Sequence, residues 1–395
     1  MSRTLRRLVL AVRLAAAVVA ISRIAQAARR RPPLTAAAAA AAHPSPLSLT
    51  RSGRDSVRDP SEIATRNVGG GSVAGGRISV VVPARDEAAR IGPLLTAIVG
   101  APGVLEVLVV DDESTDDTAA IALASGATVV PGTALPHGWA GKAWAIQQGV
   151  QRAKGEWVIT LDSDTRPSPD LPLALVQRAE ADGLQFVTVG GRFECPTPGA
   201  QWLHPAMLTT LVYRFGPAGR AGHVPAHRQL ANGQCMAFQR APFLRADGML
   251  PVAAEVVEDV ALARHLAHRG WSVAMLDGPE LLTTRMYESL AETFSGWGRS
   301  LALPGVEPAW RQALDLVVVL TAQALPLPRL LLRKGDALDV VLLLTRLGTL
   351  AGTAQAYERP RTAYWLSPLA DLPAVAALAA GSIRRRQTWR GRSYG

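Results

Sequence analysis

Two aspartates, Asp162 and Asp164, are the residues of this chain from which chemistry can first be inferred. They follow the apolar run from Val158 to Leu161, which predicts a buried strand, and a single residue separates them. Strand alternation puts both carboxylates on one face, where they repel each other unless a cation binds. Mg²⁺ and Mn²⁺ take carboxylate oxygens and keep positions open for substrate phosphates, so the pair predicts a metal site that holds a diphosphate. A solvated D-x-D motif in a loop is the alternative interpretation of the pair by itself.

The elements around this pair predict where it lies in the fold. Apolar runs and amphipathic segments predict strands at 78–83, 105–110 and 127–130, and helices at 88–99, 116–125 and 141–152. Strands that alternate with helices are typical of an α/β fold with a mostly parallel, doubly wound sheet. Ligands of such sheets bind beyond the carboxyl ends of the strands, and the D-x-D pair follows a strand in that position.

Two further strand ends carry polar clusters. Pro83 to Glu87 reads P-A-R-D-E, and Asp111 to Thr118 reads D-D-E-S-T-D-D-T. Asp111 and Asp112 lie at the strand end itself, where a carboxylate can accept a hydrogen bond from a nucleobase imide or a ribose hydroxyl. One crevice could collect both clusters and the D-x-D pair.

Helix starts supply the next candidates. Gly138 to Lys142 reads G-W-A-G-K and places one of only three lysines beside flexible backbone. A diphosphate is a suitable partner for Lys142, although a solvated lysine would fit the same spacing. Ser114 and Asp117 are interpreted as an ordinary capping box without a role in ligand binding.

A second pair of acids, Glu258 and Asp259, lies where a loop enters a predicted amphipathic helix at 255–269. These acids could act near a reacting hydroxyl group or simply cap the helix. His265 and His268 are three residues apart on the same helix, a spacing that could serve a metal. No third ligand follows them, so a surface pair is the favoured interpretation.

Charge and hydropathy indicate a membrane rather than nucleic acid as a partner. Eight arginines and no acid occur in residues 1–31, and five arginines and no acid occur in residues 383–395, whereas the whole chain has a formal charge of +10. The basic ends therefore flank a slightly acidic middle, which suits anionic lipid headgroups better than nucleic acid. The hydrophobic content of 48% exceeds what a soluble enzyme usually needs. The two cysteines are too far apart for a C-x-x-C metal site and suit a reducing compartment.

Apolar segments divide the chain into five predicted parts. These are a candidate membrane anchor at 1–31, a disordered linker at 32–76, a globular domain at 77–305, membrane helices at 306–383, and a basic cytoplasmic tail at 384–395. Three apolar stretches of about one span each make up the fourth part: Ala313 to Leu332, Ala337 to Tyr357 and Tyr364 to Ile383. Pro326 and Pro328 make the first stretch a candidate for a broken or re-entrant helix. The mixed segment 199–219 could pack on the sheet or lie at a bilayer surface.

With these motifs laid out, residues 77 to about 300 resemble the family-2 glycosyltransferases of GT-A fold. The resemblance is carried, in the family's order, by V-V-V-P-A-R-D-E, V-V-D-D-E-S-T-D-D-T, G-W-A-G-K, L-D-S-D and V-V-E-D. The segment A-N-G-Q-C from Ala231, the apolar last third and the ending W-R-G-R-S-Y are similar to the membrane-bound branch of hopanoid-associated and carotenoid glycosyltransferases. Polysaccharide-forming relatives carry Q-x-x-R-W, whereas this chain has F-S-G-W-G-R-S at 294–300, which favours a single transfer.

The resemblance implies a role for each motif residue. The donor, expected to be a UDP-sugar, would be bound by Pro83, Ala84, Arg85, Glu87, Asp111, Asp112, Lys142, Asp162 and Arg299. Asp164 would hold Mg²⁺ or Mn²⁺ at the diphosphate together with Asp162. Asp259 would be the catalytic base of an inverting reaction, and Glu258 would support its surroundings.

These expectations combine into one function and leave three alternatives. The expected protein moves a sugar to a lipid or isoprenoid acceptor at the cytoplasmic face of the cell membrane, which it crosses several times, and it binds no nucleic acid. The alternatives are a catalytically silent nucleotide-sugar-binding scaffold, a polysaccharide-forming transferase and a sugar nucleotidyltransferase. Intact acids at every motif position argue against the first, and P-A-R-D-E is not the Gly-rich phosphate loop that the last would need.

Overall fold

The structure is a computed structural model that describes residues 2–36, 76–383, 387–389 and 392–394. The predicted linker at 32–76 lies outside the described residues except at its two ends. Much of the basic tail at 384–395 lies outside them as well, although two short strands, Gln387–Trp389 and Arg392–Tyr394, pair there.

Two sheets contain the strands of residues 76–383. The strands are β1 (Ile78–Ala84), β2 (Val104–Asp111), β3 (Thr128–Pro131), β4 (Trp157–Leu161), β5 (Thr165–Pro167), β6 (Phe186–Gly190), β7 (Arg192–Glu194), β8 (Cys235–Gln239), β9 (Val273–Asp277) and β10 (Leu282–Arg285). The large sheet has the order β3-β2-β1-β4-β8-β6-β9, and the small sheet has the order β5-β10-β7. All neighbours in the large sheet are parallel except β8, which is antiparallel to β4 and to β6. The predicted mixed α/β fold with a mostly parallel sheet is therefore confirmed.

Fourteen helices are described together with these strands. They are α1 (Arg3–Ala25), α2 (Ile91–Ile98), α3 (Thr118–Ala124), α4 (Gly141–Arg152), α5 (Leu171–Ala181), α6 (Pro198–Phe215), α7 (Arg240–Arg245), α8 (Glu258–His268), α9 (Leu290–Ser300), α10 (Ala309–Val319), α11 (Pro326–Leu331), α12 (Ala337–Thr353), α13 (Thr362–Trp365) and α14 (Asp371–Ile383). The predicted helix at 141–152 is confirmed with both of its ends.

Helices cover both faces of the large sheet, as strand alternation requires. In β1, Val80 and Val82 pack with α2 and α5, whereas Val81 faces α4 on the other side. A side-chain carbon at Gly149 of α4 would collide with Val81, so this glycine lets α4 lie close to β1. That close packing fixes the start of α4, and with it Lys142, near the carboxyl end of the sheet.

Helix α6 settles the question left open for segment 199–219. It is buried around most of its circumference and packs on α1, α9 and α14 rather than on the sheet. Its buried residues include polar ones, among them His204 and Arg214, whose side chains bind Tyr357 and Asp315 from the last third. It therefore joins the globular domain to the helices of the last third.

The three apolar stretches of the last third do not all form continuous helices, contrary to the prediction of three membrane spans. The first is divided into α10, a π-helical turn at Leu320–Ala324 and α11, which begins at Pro326. The third is divided into α13, a 3₁₀ turn at Ser367–Ala370 and α14. Within the described part of the chain, two helices, Arg3–Ala28 and Ala337–Ala356, are long and apolar enough to cross a membrane by length and composition alone.

Buried charges attach α1 to the helices of the last third. Arg13 lies 2.6 Å from a carboxylate oxygen of Asp336 and 2.6 Å from one of Asp339. Arg23 donates to the carbonyl oxygen of Tyr213 at 2.7 Å and lies 3.6 Å from Asp315. The two arginines that interrupt the apolar sequence of α1 are thus the residues that pair across the helix interface.

Candidate functional site

A cavity of about 740 Å³ lies beyond the carboxyl end of β4. Its wall includes Lys142, Asp162, Asp164, Gln234, Glu258 and Asp259. A smaller cavity of about 100 Å³ adjoins it, and Pro83, Arg85 and Glu87 line that cavity together with Lys142 and both aspartates of the D-x-D pair. The two cavities therefore form adjoining compartments with Lys142 and the D-x-D pair at their boundary.

Lys142 connects two acids that are far apart in the sequence. Its Nζ lies 2.8 Å from Oδ1 of Asp162 and 2.9 Å from Oε1 of Glu258. Burial alone would lower the pKa of Lys142, but the two carboxylates raise it above its ordinary value. The lysine is therefore charged at neutral pH, and the alternative of a solvated lysine is wrong.

The two aspartates of the D-x-D pair have different surroundings. Asp162 is held by Lys142, and its backbone N–H donates to the carbonyl oxygen of Gln234 at 3.1 Å. Burial raises the pKa of Asp162 to about 7 against the opposing charge of Lys142, and the neighbouring charge of Asp164 adds to the rise. Asp164 has no hydrogen bond or ion pair with any described residue, so its carboxylate is free to bind a ligand.

The acids at the start of α8 are also distinct from each other. Glu258 is the partner of Lys142, whereas Oδ2 of Asp259 accepts from the backbone N–H of Gly233 at 2.7 Å. Oδ1 of Asp259 accepts from Val260 N–H at 2.8 Å, so this carboxylate also satisfies a helix-terminal donor, as the capping interpretation requires. Burial raises the pKa of Asp259 to about 6, with a further rise from Glu258 and an opposing effect of Lys142.

The ends of β1 and β2 meet, as predicted for the P-A-R-D-E and D-D clusters. The backbone N–H of Asp112 donates to the carbonyl oxygen of Ala84 at 2.9 Å. Nη1 of Arg85 donates to the carbonyl oxygen of Asp112 at 3.1 Å and lies 3.6 Å from its carboxylate. Glu87 pairs with Arg90 at 2.8 Å. Asp111, also at this end, accepts from Ser114 N–H through Oδ1 at 3.3 Å.

The predicted capping box of Ser114 and Asp117 is wrong. Asp117 precedes α3 without a side-chain cap, and Ser114 Oγ accepts instead from the backbone N–H of Asp86 at 3.1 Å. Asp116 takes the capping role because its two oxygens reach Thr118 N–H and Ala88 N–H, each at 3.0 Å. One carboxylate thereby satisfies donors of two loops.

Two remaining predictions concern Arg299 and the pair His265 and His268. The side chain of Arg299 lies outside the described residues, so its predicted contact with the diphosphate stays a prediction. His265 and His268 line a separate cavity of about 370 Å³ with His227. No group of three or more metal-binding side chains is found among residues 2–36 and 76–383.

The loop before β8 and Thr284 of β10 also belong to the site, although neither was predicted from the sequence. Asn232, Gly233 and Gln234 all line the larger cavity, and Thr284 Oγ1 donates to Oε1 of Gln234 at 3.0 Å. A side-chain carbon at Gly233 would lie 3.1 Å from Lys142 Nζ and 3.2 Å from Asp259 Oδ2. The A-N-G-Q segment was a visible signal, but a polar start of a strand does not reveal which strand end it will face.

The D-x-D pair fits a hard divalent cation. Asp164 offers an unengaged carboxylate, and Asp162, which is paired with Lys142, lines the same cavity beside it. Mg²⁺ commonly binds to one or two carboxylates and takes its remaining ligands from substrate phosphates and water. The described residues supply that small set of carboxylates and leave the remaining positions to a ligand in the cavity.

Part of the chain matches the model of a known protein family. Residues 79–244 match the family model described as glycosyl transferase family 2. The 4,4'-diaponeurosporenoate glycosyltransferase of Staphylococcus haemolyticus (strain JCSC1435) is 26% identical over 233 residues, which cover 57% of this chain and 61% of that protein. The protein of the same name from Staphylococcus aureus (strain MRSA252) is 37% identical over 108 residues, covering 27% of this chain and 29% of that protein. The matches thus span less than two thirds of these relatives' lengths.

Solved structures with a related shape are more distant. A mannosyltransferase from Pyrobaculum calidifontis in complex with GDP-Man and Mn²⁺ has a TM-score of 0.47 and 19% identity, covering 78% of this chain and 87% of that chain. Glucosyl-3-phosphoglycerate synthase from Mycobacterium tuberculosis with Mn²⁺ and UDP-glucose has a TM-score of 0.41 and 24% identity, covering 58% of this chain and 78% of that chain.

Proposed function

Since residues 79–244 match the glycosyl transferase family 2 model, we propose that this chain transfers a sugar from a UDP-sugar to a lipid acceptor at the cytoplasmic face of a membrane. The observation that carries the proposal is the link that Lys142 makes between Asp162 and Glu258. It joins the acids expected to hold the donor to the helix start that carries the expected base. A solvated D-x-D loop would need no such connection.

The donor binds, in this proposal, across the two adjoining cavities in a GT-A arrangement. The smaller cavity, with Pro83, Arg85 and Glu87, holds the nucleoside, and Asp111 and Asp112 contribute at the end of β2. The diphosphate lies at the boundary, near Lys142 and the D-x-D pair. The sugar then lies in the larger cavity, which also contains Asp259.

Asp164 and Asp162 would hold Mg²⁺ or Mn²⁺, which supplies positive charge to the leaving diphosphate. The protein's own part is to keep the two carboxylates near each other despite their repulsion. Lys142 contributes to this by offsetting the charge of Asp162. Because Asp162 is also paired with Lys142, Asp164 is the principal metal ligand that the chain would supply.

Asp259 is the proposed general base of an inverting displacement. It removes a proton from the acceptor hydroxyl group while the acceptor oxygen forms its bond to the anomeric carbon and the diphosphate departs. Glu258 is less suited to this role because Lys142 already binds its carboxylate. The raised pKa of Asp259, about 6, still leaves the carboxylate ionised at neutral pH and makes it a stronger base than an exposed aspartate.

The acceptor is proposed to be a long apolar isoprenoid that ends in a hydroxyl group, whose proton Asp259 removes, or in a carboxylate, which attacks the anomeric carbon without that proton transfer. Support comes from the Staphylococcus relatives, which are named as glycosyltransferases of 4,4'-diaponeurosporenoate. Most of the large apolar side chains that are exposed lie on α1 and on residues 309–383, for example Leu8, Leu331 and Leu344, each more than 60% exposed. Such a concentration suits burial in lipid. We propose that these helices form the membrane unit of a multi-pass protein.

Full-length protein purified in detergent tests this function directly. We expect release of UDP from at least one UDP-sugar when Mg²⁺ or Mn²⁺ is present, and loss of that release with a chelator. Lipid extracts from cells with and without the gene product should differ by one glycosylated lipid. A protein that binds UDP-sugars without consuming them in either assay would instead be the silent scaffold.

A further inference from the structure

We propose that Gln234 binds a hydroxyl group of the donor sugar through its side-chain amide N–H groups and thereby contributes to the choice of sugar. The inference rests on the proposed function, because it assumes that a nucleotide-sugar occupies the larger cavity. It is carried by a hydrogen-bond chain that leaves the side-chain amide of Gln234 only one orientation.

The chain begins at Asn232, whose amide is fixed by two backbone groups. Its Nδ2 donates to the carbonyl oxygen of Val189 at 2.9 Å, and its Oδ1 accepts from the backbone N–H of Gln234 at 3.2 Å. Exchanging the nitrogen and oxygen of Asn232 would bring two acceptors together at Val189 and two donors together at Gln234. Since each mismatch costs free energy, the orientation of Asn232 is determined.

Asn232 then determines the orientation of Gln234. The second N–H of Asn232 Nδ2 donates to Oε1 of Gln234 at 3.0 Å, and Thr284 Oγ1 donates to the same oxygen at 3.0 Å. A reversed amide would place Nε2 of Gln234 against the donor on Asn232. Oε1 therefore faces Asn232 and Thr284, and Nε2 keeps two N–H groups for which no hydrogen bond with a described residue is found.

The position of Gln234 indicates which part of a substrate these donors meet. Its backbone carbonyl accepts from Asp162 N–H at 3.1 Å, and the preceding residue, Gly233, donates to Asp259. Gln234 thus lies between the acids assigned to the donor diphosphate and the acid assigned to the acceptor. The group between a leaving diphosphate and an attacking hydroxyl is the transferred sugar, whose ring hydroxyls accept hydrogen bonds. An amide donor that is held rigidly can distinguish sugars by the placement of one hydroxyl.

Gln234→Glu is the sharpest variant because glutamate has nearly the same shape. One carboxylate oxygen can still accept from Asn232 and Thr284, so the internal network is kept, but an acceptor replaces the N–H donors that face the cavity. We expect kcat/KM for donor hydrolysis without acceptor to fall about tenfold or more, while affinity for UDP alone stays within about twofold. The donor used is whichever of UDP-glucose, UDP-galactose and UDP-N-acetylglucosamine the unmodified protein hydrolyses fastest.

Thr284→Val is the matched control, because it removes a hydrogen bond to Oε1 without touching the N–H groups. It should keep more donor hydrolysis than Gln234→Glu. A kcat/KM for Gln234→Glu within about twofold of the unmodified protein would overturn the assignment, and so would an equal loss of UDP affinity. If the unmodified protein neither binds nor hydrolyses any UDP-sugar, the proposed function itself fails, which these variants do not decide.

Discussion

Lys142 and Glu258 form an ion pair of 2.9 Å between the start of one helix, α4, and the start of another, α8. The same ammonium group also binds Asp162, so a single cation from α4 links an acid at the end of β4 to an acid at the start of α8. Each of these acids is expected to contact a different part of a bound substrate or to support a residue that does. The geometry of the whole site therefore depends on this one side chain.

Lys142→Met should strongly reduce transfer, because two partly buried carboxylates then lose their shared cation. We expect turnover to fall by at least about 100-fold, comparable to the removal of an electrostatic stabiliser from an active site. UDP-sugar affinity should also decrease. Lys154→Met, at an exposed lysine, is the matched control and should behave like the unmodified protein. Normal turnover in Lys142→Met would contradict the central role of this ion pair.

Asp259→Asn should reduce turnover by about 10²- to 10⁴-fold, the usual contribution of a positioned general base. Affinity for UDP and metal should remain normal, because neither is expected to contact this residue. The comparison variant is Glu258→Gln, which should lose less turnover. The reverse order of the two effects would exchange their roles, and two active variants would reduce Asp259 to a helix cap.

The pH dependence of kcat/KM should follow the ionisation of Asp259. A base acts only when deprotonated, and the pKa of Asp259 is raised to about 6, so kcat/KM should rise with pH through about 6 and level off above it. Because the pKa of Asp259 is higher in the folded protein than in the unfolded chain, ionisation of this residue is disfavoured in the folded protein. The free energy of unfolding should therefore decrease as the pH rises from about 4 to about 6. Asp259→Asn should lose the acidic limb of the activity profile and gain Tm at pH 8 relative to the unmodified protein. An unchanged limb in that variant would assign it to another group.

Asp164→Asn should abolish most metal-dependent activity while the fold remains intact. Its carboxylate has no partner among the described residues, so no internal contact is lost on substitution. Mn²⁺ titration of UDP binding by calorimetry is the suitable measurement, with circular dichroism as the control for folding. Unchanged donor affinity and turnover with metal present would discard the D-x-D assignment.

Asp339→Asn should destabilise the attachment of α1. Asp339 is fully buried and accepts from Arg13 at 2.6 Å and from Arg329 at 3.0 Å. Breaking a buried ion pair by removing one partner typically costs about 3 to 5 kcal/mol. Thermal unfolding in detergent should show the loss, whereas Arg6→Met, at an exposed arginine of the same helix, should leave the Tm unchanged. Equal stability of the two variants would mean that α1 is not held by this pair.

Much of the globular domain could be predicted from the sequence because local periodicity records which face of each element is buried. The helix at 141–152 and the strand before Asp162 are examples. Periodicity does not record the direction in which a strand pairs, so the antiparallel β8 was not predicted. The antiparallel direction of β8 places the residues just before this strand, including Gln234, at the site, and this placement was therefore not predicted either.

The apolar last third shows a different limit of sequence interpretation. Hydropathy counts apolar residues over a window, but the continuity of a helix depends on single residues. Pro326 lacks a backbone N–H, and the turn at Leu320–Ala324 is π-helical, so the first stretch is divided, as its prolines predicted. The division of the third stretch by the 3₁₀ turn at Ser367–Ala370 was not predicted. The ion pairs of Arg13 with Asp336 and Asp339 could not be predicted either, because pairs between distant segments leave no local sequence pattern.

The pairing of Arg13 with Asp339 also has a consequence for the order in which the chain can assemble during its synthesis. The two residues are 326 positions apart. At a translation rate of about 5–20 residues per second, the arginine emerges from the ribosome roughly tens of seconds before the aspartate exists. During that interval α1 has a hydrophobic sequence and an unmatched guanidinium group in its middle, and only part of its final binding surface, such as α6, has been synthesised. In the nascent chain, α1 therefore cannot form its ion pair with Asp339 until α12 has been synthesised, and its complete packing is a late step of folding.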